Sequence, residues 1–256
     1  MTGLDQPSAA PGRAGAAFDG LRAAAGFLTR VPVPVGRVVM GHAAPWFPVV
    51  GLAIGAAQAA VWLGVGALLD PLPAAVVAVA AAALITGAFH HDGLADVADA
   101  FGGGWDVEQR MTILKDSRLG TYGTSALILA FGTEIAALSS MEVATGARAV
   151  VVAHGLSRAV AVATMRWAPL AGDGMGAAYA ADLGRAGTGF AVAVGVVTAV
   201  VGLADPLTAA VAVVLAALAA VAMVALAVRK IGGITGDVLG AVQVLASLAV
   251  LLTAAA

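Results

Sequence analysis

Three aspartates of one short stretch, Asp92, Asp96 and Asp99, stand at positions i, i+4 and i+7. At about 100° per residue they fall within a ~60° sector of one helix. Carboxylates gathered on one face repel one another, and more strongly beside a low-dielectric membrane than in water. A divalent cation is the usual means of keeping all three ionised. Oxygen ligands in a chain with no cysteine favour Mg2+, Mn2+ or Ca2+ over Zn2+. Mg2+ uses few carboxylates together with substrate phosphates, which suits an open face of this kind. The alternative is a solvated acidic helix at the membrane rim.

The surrounding segment, His90–Tyr122, reads HHDGLADVADAFGGGWDVEQRMTILKDSRLGTY and holds nine of the 28 charged residues and two of the four histidines. Gly102–Gly104 is placed to end the first helix. Asp106 with Gln109 has the pattern of an N-terminal capping box for a second, and Gly120 is placed to end that one. Arg110, Lys115 and Arg118 could clamp phosphate oxygens, although membrane topology alone also explains basic residues there. Asp116 could be a metal ligand, a general base or the partner of a neighbouring cation. His90 and His91 could bind phosphate, orient an aspartate or simply pack. Two further places point the same way. His154 and Arg158, four apart, share a helix face, and a buried arginine needs an anionic partner: one of the acids, or a substrate phosphate. In GGITGD, Gly232–Asp237, Thr235 can cap the last helix. A phosphate could dock on the backbone around Gly233, Thr235 and Gly236. Asp237 could complement the helix dipole or complete the metal site.

These groups need elements to hold them. The chain has 256 residues, 61% of them hydrophobic and 11% charged, with a net charge of −2 and a mean hydropathy of +0.98. Soluble domains carry roughly 25% charged residues, so this composition excludes an ordinary soluble globule, a disordered chain, a disulfide scaffold and a nucleic-acid binder. The class is all-α, a polytopic helical membrane protein. Seven runs are long and apolar enough to span: Trp46–Leu69, Leu72–Phe89, Tyr122–Met141, Ala147–Trp167, Gly187–Ala204, Leu207–Val228 and Val238–Ala254. Eleven basic residues fall on one side: Arg13, Arg22, Arg30, Arg37, Arg110, Lys115, Arg118, Arg166, Arg185, Arg229 and Lys230. Arg148 alone falls on the other. By the positive-inside rule the N-terminus and the acidic segment face the cytoplasm. Residues 1–17 carry no signal-peptide pattern and are expected to be unstructured. Phe18–Thr29 reads as an amphipathic surface helix, and VPVP (Val31–Pro34) as extended. The organisation is thus an N-terminal tail with an interfacial helix over residues 1–45, then one membrane domain over 46–256 carrying the acidic loop 90–122.

FLTRVPVP (Phe27–Pro34), GAFHHDGLADVADAFGG (Gly87–Gly103), RMTILKDSRLGTYG (Arg110–Gly123), GLSR (Gly155–Arg158) and GGITGDVLGA (Gly232–Ala241), in that order, resemble the cobalamin 5′-phosphate synthase family, the adenosylcobinamide-GDP ribazoletransferases. The resemblance covers Phe27 to Ala241. It departs at His91, where leucine is common, and at Ala100, where glycine is common; Ala100 then requires an ordinary helical or extended backbone. The resemblance implies an integral membrane transferase that joins α-ribazole or its 5′-phosphate to adenosylcobinamide-GDP and releases GMP, with Mg2+ as cofactor. Applied to this chain it implies Asp92, Asp96, Asp99 and Asp237 as metal ligands, with Asp99, Asp96 or Asp116 as the proton acceptor. Arg110, Lys115, Arg118, His90, His154 and Arg158 would lie around the phosphates, at a site facing the cytoplasm from the cell membrane. Two other readings remain open. A CDP-alcohol phosphotransferase shares the chemistry, but here Ala95–Asp96 replaces that motif's Ala–Arg step. An ion-coupled transporter would spread its acids over several spans, whereas only Glu134 sits mid-span, where it should bond to polar neighbours.

Overall fold

The computed structural model describes residues 13–34, 40–172, 180 and 182–256; Arg37 and most of the 1–17 tail lie outside them. The described residues are helical apart from short connections. Helix α1 spans Arg13–Leu28 and starts five residues before the expected Phe18. Leu28 is buried, whereas Phe18, expected on the same apolar face, is 60% exposed. Residues 31–34 carry no regular structure, as their prolines require.

A single turn, α2 (Met40–Ala43), and a 3-10 turn (Ala44–Trp46) lead into α3, Phe47–Gly66. Then come α4 (Pro71–Thr86), α5 (Phe89–Gly103), α6 (Val107–Ile113), α7 (Thr121–Ser140), α8 (Val143–Trp167), α9 (Arg185–Gly202), α10 (Pro206–Ile231) and α11 (Gly236–Ala255). Six helical stretches are long and apolar enough to cross a bilayer: Gly41–Gly66, Thr121–Ser140, Val143–Trp167, Arg185–Gly202, Pro206–Ile231 and Gly236–Ala255. Their outward faces are valine and leucine, such as Val197, Val201, Leu207 and Leu218, which belong against lipid tails. The pair α3 and α8 packs through glycine: a Cβ on Gly55 would stand 2.7 Å from the Val151 Cα, and one on Gly51 would overlap the His154 carbonyl oxygen. Small residues let membrane helices approach in this way, because lipid offers no hydrophobic drive to bring them together.

The second expected span departs from the sequence reading. It is not a straight helix reaching Phe89: α4 and α5 meet at an 89° bend. Gly87 and Ala88 both adopt left-handed backbone, φ 66° and 54°, and the Gly87 and Ala88 N–H groups close onto the carbonyls at the end of α4. Arg30, just past α1, fills the space where a Gly87 side chain would stand, and its N–H donates to the Ile85 carbonyl at 2.7 Å. The surface helix and the bend are therefore one joint. From it α5 runs beside α7 in the opposite direction. His91 reaches Glu134, well along α7, and Asp99 reaches Gly120 and Gly123 at the α7 start. The first part of the acidic segment, α5, is thus seated between α7 and α11.

Candidate active site

Helix α5 buries Gly93, Ala95, Val97, Ala100 and Phe101, while Asp92 stays exposed and Asp96 and Asp99 half-buried. Ala100 is helical, so its departure from glycine costs no backbone strain. The buried face carries Gly93, and a Cβ there would meet the Asp237 carbonyl oxygen at 2.9 Å and its Cα at 3.0 Å. This glycine lets α5 press against the first turn of α11. Thr235 caps that turn: its hydroxyl accepts from the Val238 N–H at 3.3 Å and donates to Asp237 Oδ2 at 3.3 Å. Asp237 thereby joins the α5 carboxylates. Asp96 is partly desolvated and in addition feels the charges of Asp92, Asp237 and Asp99. Among the described residues none of these four has a cationic partner, since the ion pairs found there are His91–Glu134 and Arg118–Asp116. Among the described residues no three His, Asp or Glu side chains stand close enough together to hold a metal ion by themselves. The donor set is nonetheless all-oxygen and short of positive charge, which is the chemistry of a hard divalent ion.

Asp99 stands apart from the compact triad that its spacing suggests. Its two oxygens accept the Gly120 N–H at 2.7 Å and the Gly123 N–H at 2.9 Å, satisfying donors at the start of α7 that have no intrahelical acceptor. Gly120 accordingly begins α7 instead of ending α6, which stops at Ile113. Asp99→Ala should lower stability by about 3 kcal/mol, the scale of hydrogen bonds to a charged acceptor. A fall in Tm in detergent measures that loss, whatever happens to activity.

The basic residues divide. Arg110, expected to hold phosphate, is spent on structure: its guanidinium donates to the carbonyls of Gly104 (3.1 Å), Trp105 (2.9 Å) and Lys230 (3.0 Å). Lys230 in turn donates to the Phe101 carbonyl at 3.1 Å. The end of α10 is thus tied to the α5–α6 turn, where Asp106 caps α6 through the Gln109 N–H, as its spacing predicts. Arg118 grips Asp116, and its hydrogen bonds hold the Asp116 carboxyl down at about 2. In this structure Asp116 is thus committed to Arg118. Lys115 is exposed. Gly233, another expected phosphate contact, is pressed against the Pro169–Ala171 backbone, where Ile234 exchanges two hydrogen bonds with Pro169 and Ala171.

Behind the aspartates lies an interior polar layer that spacing alone reveals only in part. His91 and Glu134 meet at 3.0 Å, giving Glu134 the polar partner it needs, and the His91 ring stacks on Phe131 at 4.2 Å. Arg158, 2% exposed, donates from Nη1 to His154 Nδ1 at 2.9 Å and to the His154 carbonyl at 3.1 Å. Because arginine only donates, His154 carries its proton on Nε2 and gives it to Gln58 Oε1 at 2.7 Å. Gln243 bonds Ser157 at 2.9 Å. His90, His91, Glu134, His154, Arg158 and Gln243 line a chamber of about 30 Å3, room for about two waters. Gln58, Ser157, Gln243 and Ser247 were not singled out from sequence; an isolated amide or hydroxyl in an apolar run was the available signal.

The sequence profile described as Cobalamin-5-phosphate synthase matches residues 20–255. A protein of Bradyrhizobium diazoefficiens named adenosylcobinamide-GDP ribazoletransferase is 42% identical over 246 residues, covering 92% of this chain and 93% of its own length. One of the same name from a Sinorhizobium species is 43% identical over 88% of this chain and 92% of its own length, and one from Ralstonia nicotianae 37% identical over 89% and 91%. No solved structure matches. A profile that covers nearly the whole chain, agreeing with relatives of such identity, shows that the chain belongs to the cobalamin-5-phosphate synthase family and is an enzyme, an adenosylcobinamide-GDP ribazoletransferase.

Proposed function

We propose that the enzyme transfers the cobinamide phosphate of adenosylcobinamide-GDP to the ribose 3′-hydroxyl of α-ribazole or its 5′-phosphate, releasing GMP, from a site facing the cytoplasm. One bond forms between the 3′-oxygen and phosphorus, and the bond from that phosphorus to the GMP oxygen breaks. The observation that carries this reading is the group of Asp92, Asp96 and Asp237 without a cationic partner among the described residues. Bound there, Mg2+ would supply the charge that offsets both these carboxylates and a diphosphate.

The protein's own groups then have distinct tasks. Asp92 and Asp237 approach from two helices and set where the diphosphate lies. Asp96, half-buried and crowded by like charges, holds a proton more readily than an isolated carboxyl and is the group suited to receive the 3′-hydroxyl proton. Asp99 keeps the α5 end registered on α7, which fixes the other carboxylates. The start of α11 offers positive dipole to the phosphates. Mid-membrane Glu134, the acid that an ion-transport reading requires, is instead tied to His91.

The test uses purified protein in nanodiscs with adenosylcobinamide-GDP and α-ribazole. GMP should appear in step with the joined corrinoid product, stop with a chelator and return with Mg2+. GMP release at full rate in excess chelator would overturn the Mg2+-dependent reading.

A further inference from the structure

Arg158 is buried in α8, and no acid stands within ion-pairing distance of it among the described residues. Its Nη1 is committed to His154, which Gln58 holds from the other side. Its Nε is a buried donor with no partner, and Nη2 makes no hydrogen bond among the described residues. The unused edge, Nε with Nη2, is the fork that grips two oxygens of a phosphate or carboxylate side by side. A buried guanidinium left so is destabilising unless an oxyanion arrives. Besides the polar chamber, Arg158 lines a second cavity of about 50 Å3, with Phe27, Phe47, Phe89, His90 and Gly236 among its walls. That is space for about four water-sized oxygens, the number a phosphate carries. Gly236, the residue before Asp237, is one of its walls, and none of the four aspartates lines it.

We propose that Arg158, oriented by His154 and Gln58, is a specificity-determining residue that receives the 5′-phosphate of the acceptor nucleotide in this cavity. The inference rests on the transferase reading above. In that reading the donor's diphosphate belongs at the carboxylates, so a second anion receptor needs a second anion. The acceptor's phosphate lies across one ribose ring from its reacting 3′-oxygen. The phenyl walls shield the contact from water, which strengthens it.

The variants are Arg158→Gln and Arg158→Lys in nanodiscs, compared with wild type by thermal shift with each ligand alone and by KM for each substrate. Without ligand, Arg158→Gln should raise Tm, because it removes an uncompensated buried charge. Ribazole 5′-phosphate should stabilise the wild type and not Arg158→Gln, with Arg158→Lys between them. KM for ribazole 5′-phosphate should rise at least tenfold in Arg158→Gln, while KM for unphosphorylated ribazole and for adenosylcobinamide-GDP stays within twofold. An equal loss with both acceptors would overturn the assignment, as would an Arg158-dependent shift given by GMP or by phosphatidic acid vesicles but not by ribazole 5′-phosphate. The thermal shift needs no turnover. A chain that binds the nucleotide through Arg158 yet forms no corrinoid product would therefore refute the transferase reading and leave the binding assignment standing.

Discussion

Asp96→Asn is expected to lower turnover roughly a thousandfold, about 4 kcal/mol of transition-state stabilisation, with no loss of folded protein. The substitution keeps shape and removes one negative charge from within the field of Asp92 and Asp237. The Asp96 carboxylate makes no hydrogen bond among the described residues, and both its burial and repulsion from Asp92, Asp237 and Asp99 disfavour its charge. Neutralising it relieves that repulsion, so Tm in detergent should stay level or rise. The same change removes a ligand from the cation and the acceptor from the 3′-hydroxyl proton. A residue that held the fold together would show the opposite pattern, with stability and activity falling in step. GMP release under saturating substrates and Mg2+, read beside the melting curve, separates the two.

Gly93→Val is expected to cost at least about a hundredfold in turnover without touching any ionisable group. The new Cβ would stand 2.9 Å from the Asp237 carbonyl oxygen, against backbone that cannot swing aside. Helix α5 must then move off α11 by a large fraction of an ångström or more, and misplacement on that scale can cost about 10²-fold when reacting groups have to be aligned. Asp92 and Asp96 travel with α5, Asp237 stays with α11, and the carboxylate group opens. Gly64→Ala provides the control. A Cβ there meets nothing within 4 Å, and alanine favours the helix, so activity should hold within twofold. An active Gly93→Val enzyme would show that Asp237 works apart from the α5 carboxylates.

Much of the fold could be read from hydropathy because lipid imposes one rule on every span. The runs Tyr122–Met141, Gly187–Ala204 and Val238–Ala254 differ from Thr121–Ser140, Arg185–Gly202 and Gly236–Ala255 by only one or two residues at either end. Hydropathy says nothing about direction, so the 89° bend went unseen. Ala88 adopts a left-handed backbone that alanine does not advertise, held by the carbonyls of α4 and by Arg30 lodged against Gly87. Site residues divided in the same way. Asp106 and Thr235 cap helices because capping is local. Asp99 binds an amide 21 residues on, Arg110 a carbonyl 120 residues on, and His91 finds Glu134 43 residues on. Helical periodicity places such side chains on a face but does not reveal what that face meets.

The central claim is that the carboxylates of α5 and the start of α11 share one divalent cation. Manganese is a paramagnetic stand-in for Mg2+, and its free and bound forms are told apart by electron paramagnetic resonance. A titration of Mn2+ into the protein in nanodiscs should show a saturable site in the wild type, competed by Mg2+, tightened by adenosylcobinamide-GDP and lost in Asp96→Asn. Equal Mn2+ binding by wild type and Asp96→Asn, with and without the diphosphate substrate, would contradict it.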